Sequence, residues 1–158
     1  MNSKYIRLNK NNNLDYTHFN NDISAFVNKN NINSTTNYLI ITSTKNKYTY
    51  IFEKDNDAWD MLYKWSCTVG KPSTPTISGV FLVGIKYPAI GDENSSVKYA
   101  TNITDEYYYH SIIYDETGLS IKDDRLGVAI SHGCIRLATS SAKWIYENVP
   151  EGSTIIIY

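Results

Sequence analysis

The alternation of apolar and polar positions divides the chain near residue 37. Before it, polar turn formers dominate, in runs such as Asn11-Asn12-Asn13 and Asn28-Lys29-Asn30-Asn31, and 12 of the 17 asparagines fall there. Within that stretch Ile23, Phe26 and Val27 recur at helical spacing, which predicts a short helix near 19–28. Residues 1–37 read as an N-terminal extension or linker. From Tyr38 the texture becomes that of strands. Tyr38-Leu39-Ile40-Ile41-Thr42 and Lys47-Tyr48-Thr49-Tyr50-Ile51-Phe52 predict two strands, with Thr44-Lys45-Asn46 turning between them. The period from Trp59 to Val69 fits helix or strand, and Trp65-Ser66-Cys67-Thr68-Val69 tips it to strand. A Pro-rich turn from Pro72 to Pro75 introduces a strand over 79–84. The aromatic and β-branched run from Tyr107 to Tyr114 predicts one mostly buried strand.

The last part of the chain switches period. Thr139 or Ser140 can cap a helix, and Ala142, Ile145, Tyr146 and Val149 follow at helical spacing. Pro150 and Gly152 stop it. Thr154-Ile155-Ile156-Ile157-Tyr158 closes the chain as a strand. The expected fold is mainly β, with one or two short helices, and residues 38–158 form one domain.

Composition narrows the function classes. The chain has 158 residues, 42% of them apolar, which suffices for a core of one domain. Fifteen Lys and Arg against 16 Asp and Glu give a formal charge of −1, so no basic field is offered to nucleic acid or an anionic membrane. No stretch approaches 18 continuous apolar residues, the length that spans a bilayer. Two cysteines do not make a disulfide scaffold.

Candidate chemistry concentrates in Ile130-Ser131-His132-Gly133-Cys134-Ile135-Arg136-Leu137. A glycine lets the backbone turn sharply and a substrate come close, and successive N–H groups at such a turn can converge on an oxyanion. A cysteine there is a nucleophile that an imidazole can activate. Three histidines are available. His132 shares a face with Cys134 if the backbone is extended. His110 sits on the aromatic strand, a rigid support for a base, and Ser111 could orient its ring through the backbone carbonyl. His18 lies in the Asn-rich part and reads as a surface residue.

These residues also carry a family resemblance. Ser131-His132-Gly133-Cys134-Ile135-Arg136-Leu137 resembles the signature of the L,D-transpeptidase catalytic domain: a histidine, a spacer, then Ser/Thr-His-Gly-Cys, an apolar residue and Arg or Asn. Gly70-Lys71-Pro72-Ser73-Thr74-Pro75-Thr76-Ile77-Ser78-Gly79-Val80-Phe81 is similar to the Gly-Lys, Thr-Pro-Thr, Gly-x-Phe stretch of that family. Asp124-Arg125-Leu126-Gly127 and the Trp144 helix with its closing strand also fit, so the resemblance covers about residues 38–158. The spacer after His110 is longer than usual, with 115–124 as a loop insertion. The resemblance implies a β-sandwich or sheet core with Cys134 as nucleophile, His110 as general base and the Ser111 carbonyl orienting it. It implies an oxyanion hole from the N–H groups of His132, Gly133 and Cys134. Arg136 would line the site for a substrate carboxylate, with Ser131 and Tyr108 as further substrate-binding candidates.

By the same resemblance the substrates are peptidoglycan stem peptides. Cys134 would form a thioester, and an amine acceptor would give a 3→3 cross-link while water would give L,D-carboxypeptidase activity. Carbapenem-type inhibitors would acylate the cysteine, and neither a metal nor an organic cofactor is needed. The start of the chain lacks the apolar segment of a secretory signal, yet the implied substrate is outside the cytoplasm. The expectation is an extracellular or envelope protein whose export segment lies outside this chain.

Other readings stand beside this one. Cys134 could be a small buried apolar residue, as Cys67 is expected to be. His110, His132 and Cys134 could hold zinc, though no Cys-x-x-Cys knuckle supports it. A papain-like wall endopeptidase or a sortase also uses a Cys–His pair, but neither accounts for Thr74-Pro75-Thr76. A non-catalytic peptidoglycan-binding module would keep the fold without the activity.

Overall fold

The computed structural model describes residues 22–158, so His18 and the first residues of the expected helix lie outside the described part. The elements run α1 (Ile23–Lys29), β1 (Tyr38–Ser43), β2 (Tyr48–Asp55), β3 (Ala58–Ser66), β4 (Val69–Gly70), β5 (Gly79–Leu82), β6 (Lys86–Gly91) and β7 (Ser96–Thr104). They continue with β8 (Tyr107–His110), β9 (Ile113–Tyr114), β10 (Ile121–Asp123), β11 (Ala129–Ser131), β12 (Ile135–Arg136), α2 (Thr139–Asn148) and β13 (Thr154–Ile157). The first sheet has the order β3-β2-β1-β13-β5. The second has the order β10-β9-β7-β8-β12, with β6 also paired to β7, and β11 pairs with β4.

β1 and β13 lie inside the first sheet and run parallel, in register from Leu39↔Thr154 to Thr42↔Ile157. Their side chains alternate between two cores. Ile40, Ile155 and Ile157 join Phe81, Ile103, Tyr109, Ile135 and Leu137 with Ala142 and Ile145 of α2 and Val149 at its C-cap. Leu39, Ile41 and Ile156 face the other way, onto Phe52, Trp59 and α1. Burial on both faces is why these strands read as unbroken apolar runs. Each fully buried isoleucine contributes about 1.5–3 kcal/mol, so the ends of the domain are tied together by its best-packed strands.

Residues 22–37 pack against the first sheet. Asp22 caps α1 by accepting the Ala25 N–H at 2.9 Å. The Asn28 side chain brackets Trp59, accepting its N–H at 2.8 Å and donating to its carbonyl at 2.9 Å. The Trp59 indole donates to the Ile32 carbonyl at 2.7 Å. A seven-residue helix is unstable alone; here it forms because Ile23 and Val27 are buried against the first sheet.

Two expectations are revised. The run 107–114 is two strands, because Ser111 turns aside to bond Lys98: its N–H donates to the Lys98 carbonyl at 3.0 Å and its hydroxyl accepts the Lys98 N–H at 2.8 Å. Neither Thr139 nor Ser140 caps α2. The N-cap is Ala138, with no side-chain cap bond, and the Thr139 hydroxyl instead pairs with the Tyr114 hydroxyl at 2.8 Å. The 85–104 stretch, to which the sequence pattern assigned nothing, is the β6–β7 hairpin. The Lys86 ammonium pins that hairpin to α2, donating to the carbonyls of Ile145, Tyr146 and Val149 at the helix C-terminus.

Candidate active site

Cys134 and His110 meet because β12 runs parallel to β8, with Ile135 opposite Tyr109 and Arg136 opposite His110. Tyr109 and Ile135 point into the core and are fully buried. Their neighbours Tyr108, His110 and Cys134 line an open cleft of about 370 Å³. The long spacer does not disturb this pairing. It projects as the β9–β10 hairpin, which pairs with itself and meets β7 around the Ser96↔Tyr114 pair, where the Ser96 hydroxyl donates to the Asp115 carbonyl and the Lys98 ammonium lies over the Tyr114 ring.

The cysteine loop is held from two sides. The Ser131 hydroxyl donates to the Cys134 carbonyl at 2.7 Å and accepts the Gly133 N–H at 3.1 Å. From the turn before β5, the Thr74 hydroxyl donates to the Ser131 carbonyl at 2.9 Å and the Thr76 hydroxyl to the Gly133 carbonyl at 2.8 Å. Thr76 in turn accepts the Gly70 N–H at 2.9 Å. This gives the Thr-Pro-Thr segment its physical meaning: two hydroxyls clamp the cysteine loop. Two glycines are required by space. A Cβ at Gly70 would lie 2.1 Å from the Thr74 carbonyl oxygen, and one at Gly133, whose φ is +127°, would lie 2.7 Å from the Tyr107 ring.

His110 is almost fully buried, and its Nδ1 lies 2.7 Å from the Ser111 carbonyl oxygen. A carbonyl only accepts, so Nδ1 carries the proton and Nε2 keeps the lone pair of a base. Burial pulls the imidazole down to about 4, helped by the nearby Arg136 cation and opposed by the Ser111 carbonyl. Burial pushes the Cys134 thiol up, as does the Glu106 charge, while the Tyr108 N–H favours the thiolate. The Sγ atom lies 3.5 Å from the Glu106 carbonyl oxygen. Both shifts disfavour a resting thiolate–imidazolium pair. Thiol and imidazole are neutral near pH 7, so a thiolate at Cys134 would form only as its proton moves to His110.

The remaining candidates divide. Tyr108 lines the cleft, in edge contact with Tyr87. His132 is exposed. Ser131, expected at the substrate, is buried and spends its hydroxyl on the loop itself. The Gly133 N–H, expected in the oxyanion hole, is taken by Ser131, whereas the N–H groups of His132 and Cys134 make no hydrogen bond among the described residues. Arg136, expected to meet a substrate carboxylate, is 5% exposed and paired with Asp123 at 3.2 Å, with Nη1 donating to the Arg125 carbonyl. Its cation braces the segment after β10. Its Nε is buried without a partner among the described residues.

The cleft also has a wall that the sequence reading missed: Ile90, Val97 and Glu106. The turn formers from Gly91 to Ser96 between two β-rich runs were a legible hairpin signal. Nothing in the sequence marks Glu106 as a cleft residue. His110, His132 and Cys134 do not assemble as a zinc site, and among the described residues no group of three His, Cys, Asp or Glu is placed to hold a metal. No helix there is long and apolar enough to cross a membrane.

Residues 37–157 match the family model of the L,D-transpeptidase catalytic domain. The chain is 29% identical over 97 residues to L,D-transpeptidase 2 of Mycobacterium tuberculosis, across 56% of this chain and 24% of that protein. A crystal structure of a fused Zn-dependent amidase/peptidase/peptidoglycan-binding domain-containing protein from Clostridium acetobutylicum superposes with a TM-score of 0.74 and 37% identity. It covers 93% of this chain and 63% of the other. L,D-transpeptidase 3 of M. tuberculosis, solved with a faropenem-derived adduct, has the same fold, with a TM-score of 0.60, 21% identity, and coverage of 77% and 60%. The chain spans about a quarter of the length of the curated relatives it matches.

Proposed function

Starting from the chain's membership of the L,D-transpeptidase catalytic domain family, we propose that it cross-links peptidoglycan stem peptides 3→3 through a thioester on Cys134. The observation that carries this reading is the convergence of Cys134 and His110 on one cleft, with the Ser111 carbonyl fixing the His110 tautomer. His110 Nε2 takes the thiol proton as Sγ attacks the carbonyl of the third, diaminopimelate-type residue of a tetrapeptide stem. The N–H groups of His132 and Cys134 stabilise the oxyanion. His110 then returns the proton to the departing D-Ala amine, leaving the thioester. A side-chain amine of a neighbouring stem completes the cross-link, and water in its place releases a tripeptide as an L,D-carboxypeptidase. A substrate in the wall places the protein outside the cytoplasm.

The first test is the intact mass of the protein after incubation with a carbapenem, in wild type and Cys134→Ala. A stoichiometric adduct on wild type alone supports the acylatable cysteine. Muropeptides carrying 3→3 links, or released D-Ala, then separate this reading from an endopeptidase or sortase. An adduct absent from folded wild-type protein with a free thiol counts against it.

A further inference from the structure

The chemistry of the cleft is asymmetric in charge. Among the described residues that line it, Glu106 is the one carboxylate, and no lysine or arginine accompanies it. Arg136, the guanidinium next to His110, is buried and paired with Asp123. Glu106 itself is exposed and sits in the turn between β7 and β8, and its main-chain carbonyl oxygen lies 3.5 Å from Cys134 Sγ. A carboxylate in this place works against the first half of an acyl transfer, because its charge opposes formation of the thiolate beside it. It favours a second half in which the arriving nucleophile is a cation. The apolar wall of Ile90 and Val97 faces the same space and offers the methylene stem of such a group a dry surface.

We infer that Glu106 is the acceptor-selecting residue of the cleft: its carboxylate receives the ammonium of a primary-amine acceptor and so favours aminolysis of the Cys134 acyl group over hydrolysis. This rests on the transpeptidase reading and adds to it the charge class of the acceptor. The step balances as follows. The bound ammonium gives one proton to solvent by way of the Glu106 carboxylate and becomes a free amine. The amine nitrogen attacks the thioester carbonyl and passes a second proton to His110 Nε2. The carbon–sulfur bond breaks, the sulfur takes that proton back from His110, and the products are an amide and the free thiol. Glu106 acts on the acceptor before bond formation, so its signature is in KM for charged amines more than in kcat.

The test uses the full chain, acylated in turnover by a tetrapeptide ester donor. Two acceptors are compared at pH 7.5: a lysine-type side-chain amine, which is cationic, and methoxyamine, which is neutral. In Glu106→Gln the efficiency ratio of cationic to neutral acceptor falls about three- to fivefold, carried by KM, as expected for one exposed ion pair. Glu147→Gln, on the far helix α2, leaves the ratio as in wild type. In wild type the ratio also declines as salt is raised from 20 to 500 mM, a range over which exposed charge pairs are progressively screened; this arm needs no variant to fold. A ratio within twofold of wild type in folded Glu106→Gln, or a wild-type ratio indifferent to salt, overturns the assignment while leaving the thioester intact. A wild-type protein that gains no acyl group from the donor or a carbapenem overturns the transpeptidase reading first, and the acceptor role falls with it.

Discussion

The floor and the wall of the cleft are built on opposite principles. On the floor, Cys134 and His110 sit on two short strands held in register, and nearly every polar atom around them is committed: Ser131, Thr74 and Thr76 to the loop, Ser111 to Lys98 and to the imidazole. On the wall, Ile90 and Glu106 are exposed and Val97 half-buried, on a hairpin and its turn. The difference teaches where each task can live. Bond making needs atoms fixed within about 0.5 Å, which only overdetermined positions provide. Recognition of a variable acceptor needs groups that are free to meet it, and those remain where packing does not use them up.

The sharpest break of this comparison is at the nucleophile. Cys134→Ala abolishes acylation, a loss of at least about 10³-fold, yet shifts stability by less than about 1 kcal/mol. Cys67→Ala does the reverse. That thiol is fully buried and its pKa is pushed up to about 12, so its removal leaves the acylation rate alone and costs about 1–2 kcal/mol in urea unfolding. Intact mass and denaturation on the same two samples check both.

Acid is the next lever, and on the floor it acts through His110. Burial depresses His110 to about 4 in the folded protein, while the unfolded chain titrates near 6.5. Below pH 6.5 the unfolded state therefore binds the extra proton. Stability from this group is full above pH 6.5 and is lost as pH falls to 4, by about 3 kcal/mol. Urea midpoints across that range show the decline in wild type, and it is shallower by that amount in His110→Gln. The same neutral pair gives an acylation rate whose acid limb lies near pH 4.

Thr76→Val asks whether the clamp matters to the floor. It strips a partner from the Gly70 N–H and from the Gly133 carbonyl, costing about 2–3 kcal/mol of stability. The loosened loop slows acylation about tenfold or more, read by stopped-flow with a chromogenic β-lactam. The smallest effect falls on the wall: Ile90→Ala raises KM for peptide donors about two- to threefold and leaves the thermal midpoint within a degree or two.

How much of this was legible varies by element. The strands from Tyr38 to Phe52 and the closing strand were readable because their runs are long and β-branched. The nucleophile loop was readable because its parts are contiguous from Ser131 to Arg136. The Thr-Pro-Thr segment was recognisable as a pattern, but its work was not, since its hydroxyls act on a loop 57 positions away. α1 was visible only as three apolar residues among asparagines. What makes it part of the body is Trp59, a residue the local period cannot connect to it.

The sequence by itself determined the cysteine and its glycine turn, the buried strand that carries His110 and the mainly β character, because these depend on residue type and on spacing within one segment. Tertiary structure decided which groups are spent and which are free. It gave the Gly133 N–H to Ser131 and the Arg136 cation to Asp123, and it brought Glu106 to the thiol. Those outcomes follow from strand register between distant segments. A shift of one residue there turns each side chain to the opposite face, and no local period encodes it.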